Sequence, residues 1–279
     1  DDVVKLAQRA LENTGNSDAR IIYETRYLLC SALAKLKNSD CLKEVQFLNY
    51  NDKTFLLAFY YRQIGKTSQA LSLLNSLLEK YPDMSKAKRE KVLVLKNLQQ
   101  FEEATGLAKE NYYLYSDNPY HIQAYFDCLI NTYSSHSDNA LLYELLVKLG
   151  RIQSEKAQSM HSRCLALFTA YVEGNYENAM SLINLAVENF PKDKKYALVV
   201  KFDIAQSFRQ IDVMKSTIQE LEKEGANINS IVICKSKLLA AENKLEEAIQ
   251  FFSKHIQFFT DQSKNTFCER LQSHYTFNS

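Results

Sequence analysis

Glycine, proline and tryptophan are scarce in this chain of 279 residues, which has six glycines, three prolines and no tryptophan. Glycine and proline interrupt regular elements, so their scarcity beside many leucine, alanine, lysine and glutamate residues favours helix over sheet. The six glycines are also isolated from one another, so no phosphate-cradling loop of the dinucleotide or P-loop kind is present. The sequence therefore predicts a mostly helical protein without a nucleotide-binding loop.

The chain also lacks an excess of charge of either sign. It has 34 lysine and arginine residues against 33 aspartate and glutamate residues, a net charge of +1, which gives no global reason to expect nucleic acid or an anionic membrane as partner. No signal peptide and no apolar run of membrane-spanning length occurs. Hydrophobic residues make up 46% of the chain, enough for a buried core. We therefore expect a cytoplasmic protein with no membrane partner.

Sequence motifs for metal binding and nucleophilic catalysis are absent: there is no C-x-x-C, H-E-x-x-H or G-x-S-x-G. Six cysteines lie scattered, mostly inside apolar helical runs, which favours buried thiols over a disulfide framework. His161 and Cys164, three residues apart on one helix face, are two ligands without a third, and a pair in the core or in a groove is the simpler interpretation. We expect no catalytic residue, no cofactor and no metal ion, and hence no enzyme.

The most regular stretch is Thr54–Pro82, whose pattern predicts two antiparallel helices joined by a tight turn. Gly65 closes the first helix, where glycine adopts a left-handed conformation at least cost, and Thr67 or Ser68 can cap the second. Pro82 stops the second helix because it cannot continue the hydrogen-bond ladder. Apolar residues recur at helical spacing on both sides of the turn: Leu57, Tyr61, Ile64, Ala70, Leu73, Leu74, Leu77 and Leu78.

The pattern of this stretch recurs along the chain. Gly174, Ala179 and Pro191 repeat the spacing of Gly65, Ala70 and Pro82, with intervals of 5 and 12 residues in both copies. A small or apolar residue marks the start of each second helix at steps of 34, 36, 39, 35 and 34: Ala70, Ala104, Ala140, Ala179, Met214 and Ala248. Such a period indicates a helical repeat array. We predict irregular N-terminal helices over residues 1–50, the array over 51–262, and a C-terminal capping helix over 263–279 with Phe267, Leu271 and Tyr275 on one face.

A helix pair at a step near 34 residues, with these marker residues, resembles the tetratricopeptide repeat. The signature places of that family are occupied in the first copy by Leu57, Tyr61, Gly65, Ala70, Leu74, Leu77 and Pro82. The second copy provides Gly174, Tyr176, Ala179, Ile183, Ala186 and Pro191, and a partial third provides Leu239, Leu245, Ala248 and Phe252. The resemblance covers roughly residues 51–262 and implies an all-α fold: a right-handed superhelical solenoid of about six to seven repeats with terminal capping helices. The first helices of the repeats would then line a concave groove.

The family geometry implies which side chains face this groove, and these are our candidate protein-binding residues: Phe55, Phe59, Arg62, Lys86, Arg89, Lys96, Tyr125, His161, Phe168, Tyr171 and Tyr196. Basic side chains beside aromatic rings suit a peptide or protein partner with acidic and apolar residues. Some members of the family grip the C-terminal carboxylate of a chaperone with lysine and asparagine. The corresponding places here hold Phe55, Phe59 and Leu93, so we predict no such clamp.

Plainer interpretations of these residues stay open. Phe55, Phe59 and Phe168 would also suit packing between neighbouring repeats. The basic run from Lys86 to Lys96 could contact nucleic acid, but Glu90 interrupts it and we favour a solvated helix face. Tyrosines near residues 112–125 could stack on bases, although amphipathic tyrosines more often fill gaps at repeat junctions.

The leading functional hypothesis is a non-catalytic protein–protein interaction module, a scaffold or sensor that binds a peptide or protein surface in its groove. A second hypothesis is a regulatory domain for an attached nuclease, protease or nucleotide-driven switch. It is motivated by the start at Asp1-Asp2 without methionine, for which we expect a domain cut from a longer polypeptide. A third hypothesis is a structural repeat that self-assembles through the ends of the array into a homo-oligomer.

Overall fold

The computed structural model describes residues 2–13, 18–98, 100–134, 139–256 and 261–276. In the last of these segments it describes the side chains at 264, 265, 267–269 and 271–273. These described residues form α-helices, short 3-10 turns and loops, and they contain no strand. The prediction of an all-α repeat fold is confirmed.

The chain divides into two compact units, the first comprising Asp1–Leu98 with Phe258–Thr260 and the second Gln99–Gln257 with Asp261–Ser279. The boundary after Leu98 falls inside the segment for which the sequence predicts one array. The predicted divisions at residues 50 and 262 stay predictions.

The first unit is built from six described helices, with a 3-10 turn over Val45–Phe47 before the fourth. They are α1 (Asp2–Glu12), α2 (Ala19–Lys35), α3 (Cys41–Glu44), α4 (Tyr50–Gln63), α5 (Thr67–Lys80) and α6 (Ser85–Asn97). Helix α4 packs against α2 and α5, and α5 packs against α6. Two apolar clusters form the core of this stack, one with Leu29, Leu33 and Leu56 and the other with Ala58, Leu74, Leu77 and Val94.

The second unit contains ten described helices, with a 3-10 turn over Pro191–Asp193 before α12. They are α7 (Phe101–Leu114), α8 (Pro119–Asn131), α9 (Asn139–Gly150), α10 (Glu155–Tyr171), α11 (Tyr176–Asn189), α12 (Lys194–Ser207), α13 (Ile211–Lys223), α14 (Ile228–Ala241), α15 (Leu245–His255) and α16 (Asp261–Thr276). Each helix from α7 to α15 packs against the next one in sequence. The result is a stack of helical hairpins.

The turn between α4 and α5 follows the predicted design with one correction. Gly65 has φ +84°, and Lys66 N donates to Tyr61 O at 2.8 Å, closing α4 with a left-handed C-terminal turn. Because this turn places Lys66 at the N-cap, Thr67 is already the first residue of α5, and neither Thr67 nor Ser68 caps the helix. Helix α5 ends at Lys80, two residues before Pro82.

The same turn recurs with residues other than glycine in the left-handed place. Lys37, Arg209 and Asn243 have φ values of 58°, 52° and 65° and follow the ends of α2, α12 and α14. Sequence inspection finds such turns through glycine, so it misses these three.

The marker position of the repeats is the fourth residue of each second helix, and it is fully buried. Ala70, Ala104, Ala179, Met214 and Ala248 all have 0% exposure, as the sequence predicts. The prediction of Ala140 is wrong, because Ala140 is exposed and Leu142, at 1% exposure, is the fourth residue of α9. The marker of α9 therefore lies two residues after the predicted position.

The C-terminal helix packs on the last hairpin. Phe267 and Leu271 are buried, and the Phe267 ring stacks on Phe252 of α15 with 4.0 Å between centroids. These contacts agree with the capping role expected of this helix. The side chain of Tyr275, the third residue predicted for this face, lies outside the described residues.

Candidate functional site

Side chains from α2, α4 and α6 meet in one continuous surface of the first unit, which we call the α2–α4–α6 face. Its described members are linked by hydrogen bonds, ion pairs and ring contacts: Tyr23, Tyr27, Asp52, Phe55, Phe59, Arg62, Lys86 and Glu90. Four of them, Phe55, Phe59, Arg62 and Lys86, are predicted groove residues. Their positions follow from helical spacing, since residues three or four apart lie on the same side of α4.

Asp52 joins the three helices at one end of the face. Its carboxylate accepts a hydrogen bond from Tyr23 Oη at 2.7 Å and pairs with Lys86 Nζ at 2.8 Å. The same ammonium donates to Tyr27 Oη at 3.3 Å. We call these residues, Tyr23, Tyr27, Asp52 and Lys86, the Asp52 cluster.

The pKa values of Asp52, Tyr23 and Lys86 reflect these contacts. Burial alone would raise the pKa of Asp52, but the hydrogen bonds from Lys86 and Tyr23 outweigh it and lower the pKa. Burial and the bond to Asp52 raise the pKa of Tyr23 to about 12. For Lys86, burial acts to lower the pKa, whereas Asp52 and Tyr27 raise it. The ion pair is therefore charged throughout the physiological range.

Aromatic rings and cations alternate along the face. Lys86 Nζ lies 4.9 Å from the ring centroids of both Tyr27 and Phe55. The Phe55 and Phe59 rings stack with 6.5 Å between centroids, and the Arg62 guanidinium lies 5.5 Å above Phe59. Such cation–π contacts hold both partners in defined positions.

A buried ion pair fixes the other end of the face. Arg62 of α4 donates to Glu90 of α6, whose side chain is only 4% exposed. Removing either partner of an ion pair with so little solvent contact strongly lowers the stability of the fold. Glu90 therefore serves the packing of α4 against α6, and it does not interrupt the basic character of the exposed surface as its place in the sequence suggested.

Two further predicted groove residues, Arg89 and Lys96, lie on α6 and are half-buried. They stay predictions as binding residues. A shallow depression of about 460 Å³ adjoins the face at Asp52 and is otherwise lined by Asn49, Asn51 and residues 80–84.

The remaining predicted groove residues lie in the second unit and differ in exposure. Tyr125 and Phe168 are 3% and 9% exposed, which leaves them little area for a partner. His161 is half-buried beside Gly150, where a Cβ would lie 3.0 Å from its Nε2, and burial lowers its pKa. The exposed residue of the set is Tyr196 at 61%.

The second unit repeats the use of an aspartate between first helices. Tyr171 of α10 donates from Oη to Asp203 O at 3.2 Å, and Lys237 Nζ of α14 pairs with the Asp203 carboxylate at 3.0 Å. Burial raises the pKa of Tyr171 to about 12. As in the Asp52 cluster, the lysine follows the aspartate by 34 residues, which is one repeat.

Tyr196 lies beside a polar network in the same unit. Lys156 Nζ and the Arg163 guanidinium are 5.3 Å and 5.7 Å from its ring centroid. Both cations also pair with Asp193, which accepts a hydrogen bond from Ser159 at 2.7 Å. The charges of this network are largely satisfied within the chain.

Sequence inspection missed Tyr23 and Tyr27 because α2 lies in the segment interpreted as irregular. The available signal was their spacing of four residues on a helix that precedes the first regular hairpin.

In the part of the chain that the structure describes, the side chains form neither a metal site nor a disulfide. Among the described residues, no group of three or more histidine, cysteine, aspartate or glutamate side chains could hold a metal ion. All six cysteines are free thiols, and Cys164 is 1% exposed. None of the described helices is long and apolar enough to span a membrane.

The fold and this face together define a helical-repeat protein. Residues 55–83, which include most of the α4–α5 hairpin, match the tetratricopeptide repeat family model. The resemblance seen in the sequence is thereby confirmed for this stretch. A tetratricopeptide repeat protein from Parabacteroides merdae ATCC 43184, of known structure, is similar at 13% identity over 97% of this chain and 98% of that chain, with a TM-score of 0.49. No curated protein matches the chain.

Tetratricopeptide repeats generally mediate protein–protein interactions and are typically non-catalytic. The family match therefore suggests an interaction or scaffold role for the chain.

Proposed function

We propose that the chain is a non-catalytic scaffold that binds a peptide or protein surface on the α2–α4–α6 face. The observation that carries this proposal is the fixed alternation of rings and cations on that face. Asp52 and Glu90 hold Lys86 and Arg62 in place over Tyr27, Phe55 and Phe59. A preformed surface loses little conformational entropy on binding, and aromatic and arginine side chains contribute most to interface energies.

The test combines partner capture with calorimetry on a variant of this face. A partner captured with the intact chain is titrated against the wild type and against Phe59→Ala with Arg89→Glu, which changes one ring of the face and one predicted groove residue on α6. We expect at least tenfold weaker binding by the variant, with unchanged helicity. The matched control is Tyr113→Ala with Lys109→Glu, which removes one exposed ring and reverses one exposed charge on α7 of the second unit. Equal affinities for the wild type and the face variant would reject the assignment.

Self-association is a second candidate, favoured by apolar side chains at the N-terminal end. Val3, Leu6, Ile21 and Leu28 of α1 and α2 are 58%, 64%, 57% and 59% exposed. Exposed apolar side chains of this size promote association. Light scattering at increasing concentration decides: a rise in mass that Leu6→Ser with Leu28→Ser abolishes supports it, and a monomer at high concentration contradicts it.

A further inference from the structure

The two units carry opposite net charge, although the chain as a whole is nearly neutral. Residues 1–98 contain 16 lysine and arginine residues and 11 aspartate and glutamate residues, a net charge of +5. Residues 99–279 contain 18 basic and 22 acidic residues, a net charge of −4. An asymmetry of this size biases each unit towards partners of opposite sign.

The positive charge of the first unit concentrates on α6. This helix carries five basic residues, Lys86, Lys88, Arg89, Lys91 and Lys96, and one acidic residue, Glu90. The Glu90 side chain is 4% exposed and bonded to Arg62, and Asp52 is neutralised by Lys86. Each acidic group of the α2–α4–α6 face is thus balanced by one cation of the same face, and the other four basic residues of α6 give this helix its excess of positive charge.

The three basic residues of α6 that the sequence predicts to face the groove are distributed along the helix. Lys86, Arg89 and Lys96 span ten residues, which at 1.5 Å per residue corresponds to about 15 Å. An extended peptide covers about 15 Å with roughly five residues. A single terminal carboxylate would meet only one of these cations, whereas several acidic side chains along a segment would meet them all.

We infer that the α2–α4–α6 face binds an internal acidic segment of a partner protein, of about five residues and with an apolar residue among the acidic ones. This inference rests on the proposed function and names the partner chemistry of the same site. The acidic side chains lie along α6, and the apolar side chain contacts the half-buried rings of Phe55 and Phe59.

Single-stranded nucleic acid is the competing anionic partner, and the geometry disfavours it. Bases bind such proteins by stacking on exposed aromatic faces. Here Lys86 lies over Tyr27 and Phe55, and Arg62 lies over Phe59. Phe55 and Phe59 also stack on each other, so a base, which needs a whole open ring face, fits less well there than an aliphatic side chain, which needs only part of a ring.

The experiment titrates the full chain with defined probes by fluorescence anisotropy. The first probe is a ten-residue peptide of alternating glutamate and leucine, blocked at both ends. The second replaces glutamate by glutamine, the third adds a free C-terminal carboxylate to the second, and the fourth is a ten-nucleotide oligothymidylate. We expect the first probe to bind at least tenfold more tightly than the others. Its affinity should fall at least tenfold between 50 and 300 mM salt, because salt screens exposed charge interactions.

Charge reversal locates the site. Arg89→Glu with Lys96→Glu is expected to lower the affinity for the first probe at least tenfold. Lys5→Glu with Lys35→Glu makes the same change in net charge at exposed positions of α1 and α2 and is expected to change affinity less than threefold. Circular dichroism confirms folding, and Arg89→Gln with Lys96→Gln replaces the reversal if that variant is not helical.

Each other outcome overturns the inference. Equal binding of the third probe would indicate recognition of a terminal carboxylate, and tighter binding of the fourth would indicate a nucleic-acid site. No binding of the first probe, or equal loss in both charge-reversal variants, would remove the acidic segment as ligand. The proposed function survives any of these results if the captured partner still responds to Phe59→Ala with Arg89→Glu, so the two failures are distinguishable.

Discussion

Asn111 of α7 occupies a core position that α5, α11 and α13 fill with an apolar residue. It lies seven residues after the marker Ala104, as Leu77, Ala186 and Leu221 follow their own markers, and all four are at most 2% exposed. Neither atom of the Asn111 carboxamide has a hydrogen-bond partner among the described residues. A buried amide without a partner costs stability that an apolar side chain of similar size would not.

Replacing Asn111 by leucine is therefore expected to stabilise the protein by about 1–3 kcal/mol. Urea denaturation followed by circular dichroism measures the change. The reciprocal control is Leu77→Asn, which should destabilise by about 3 kcal/mol or more because it buries the same amide in the first unit. A loss of stability on Asn111→Leu would show that the carboxamide makes favourable interactions there.

Gly65 occupies a position where the backbone conformation favours glycine. Its φ of +84° is in the left-handed region, where a Cβ costs about 1–2 kcal/mol. Gly65→Ala should therefore lower the unfolding free energy by about that amount. Gly106, inside α7, is the matched control, because a Cβ there meets no atom within 4 Å and alanine favours helix by up to about 1 kcal/mol. Thermal unfolding that shows the same sign for both variants would contradict this account.

At the scale of the element, the Asp52 cluster ties α2, α4 and α6 together. Lys86→Met should destabilise the first unit by about 1 kcal/mol, a value kept small because the Lys86 side chain is 41% exposed. Lys43→Met, which breaks the exposed pair with Asp40 in the same unit, should change stability by less than about 0.5 kcal/mol. Denaturant titration at neutral pH compares the two variants.

The acid dependence of the same variant provides a second measurement. The pKa of Asp52 is lowered in the folded state, so its contribution is present above the unfolded value near 3.9 and is lost as pH falls through the folded value. The difference in stability between the wild type and Lys86→Met should therefore be constant near pH 7 and shrink below about pH 4. A difference that persists at pH 2 would mean that Lys86 acts through packing.

Local patterns in the sequence predicted the hairpins well and the site only in part. Gly65, the helical spacing of the apolar residues and Pro82 mark the α4–α5 hairpin. Each of these signals depends only on residues that are close in sequence. The Asp52 cluster could not be predicted in the same way, because Tyr23 and Asp52 lie 29 residues apart and no local pattern links them. Glu90 is a similar case, because its burial and its ion pair with Arg62 depend on the packing of α4 against α6.

At the scale of the whole molecule, the near-zero net charge conceals two units of opposite sign. The total of +1 gives no reason to expect a charged partner, whereas the +5 of residues 1–98 does. The boundary after Leu98 is what makes the separate totals meaningful, and it follows no proline, glycine or serine signal in the sequence.

Hydrogen–deuterium exchange of the full chain, with and without its captured partner, tests the binding-face assignment most directly. We expect the partner to slow exchange in α4 and α6, residues 50–63 and 85–97, more than in α5 between them. Slowed exchange confined to residues 101–276 would contradict the assignment of the α2–α4–α6 face as the binding surface.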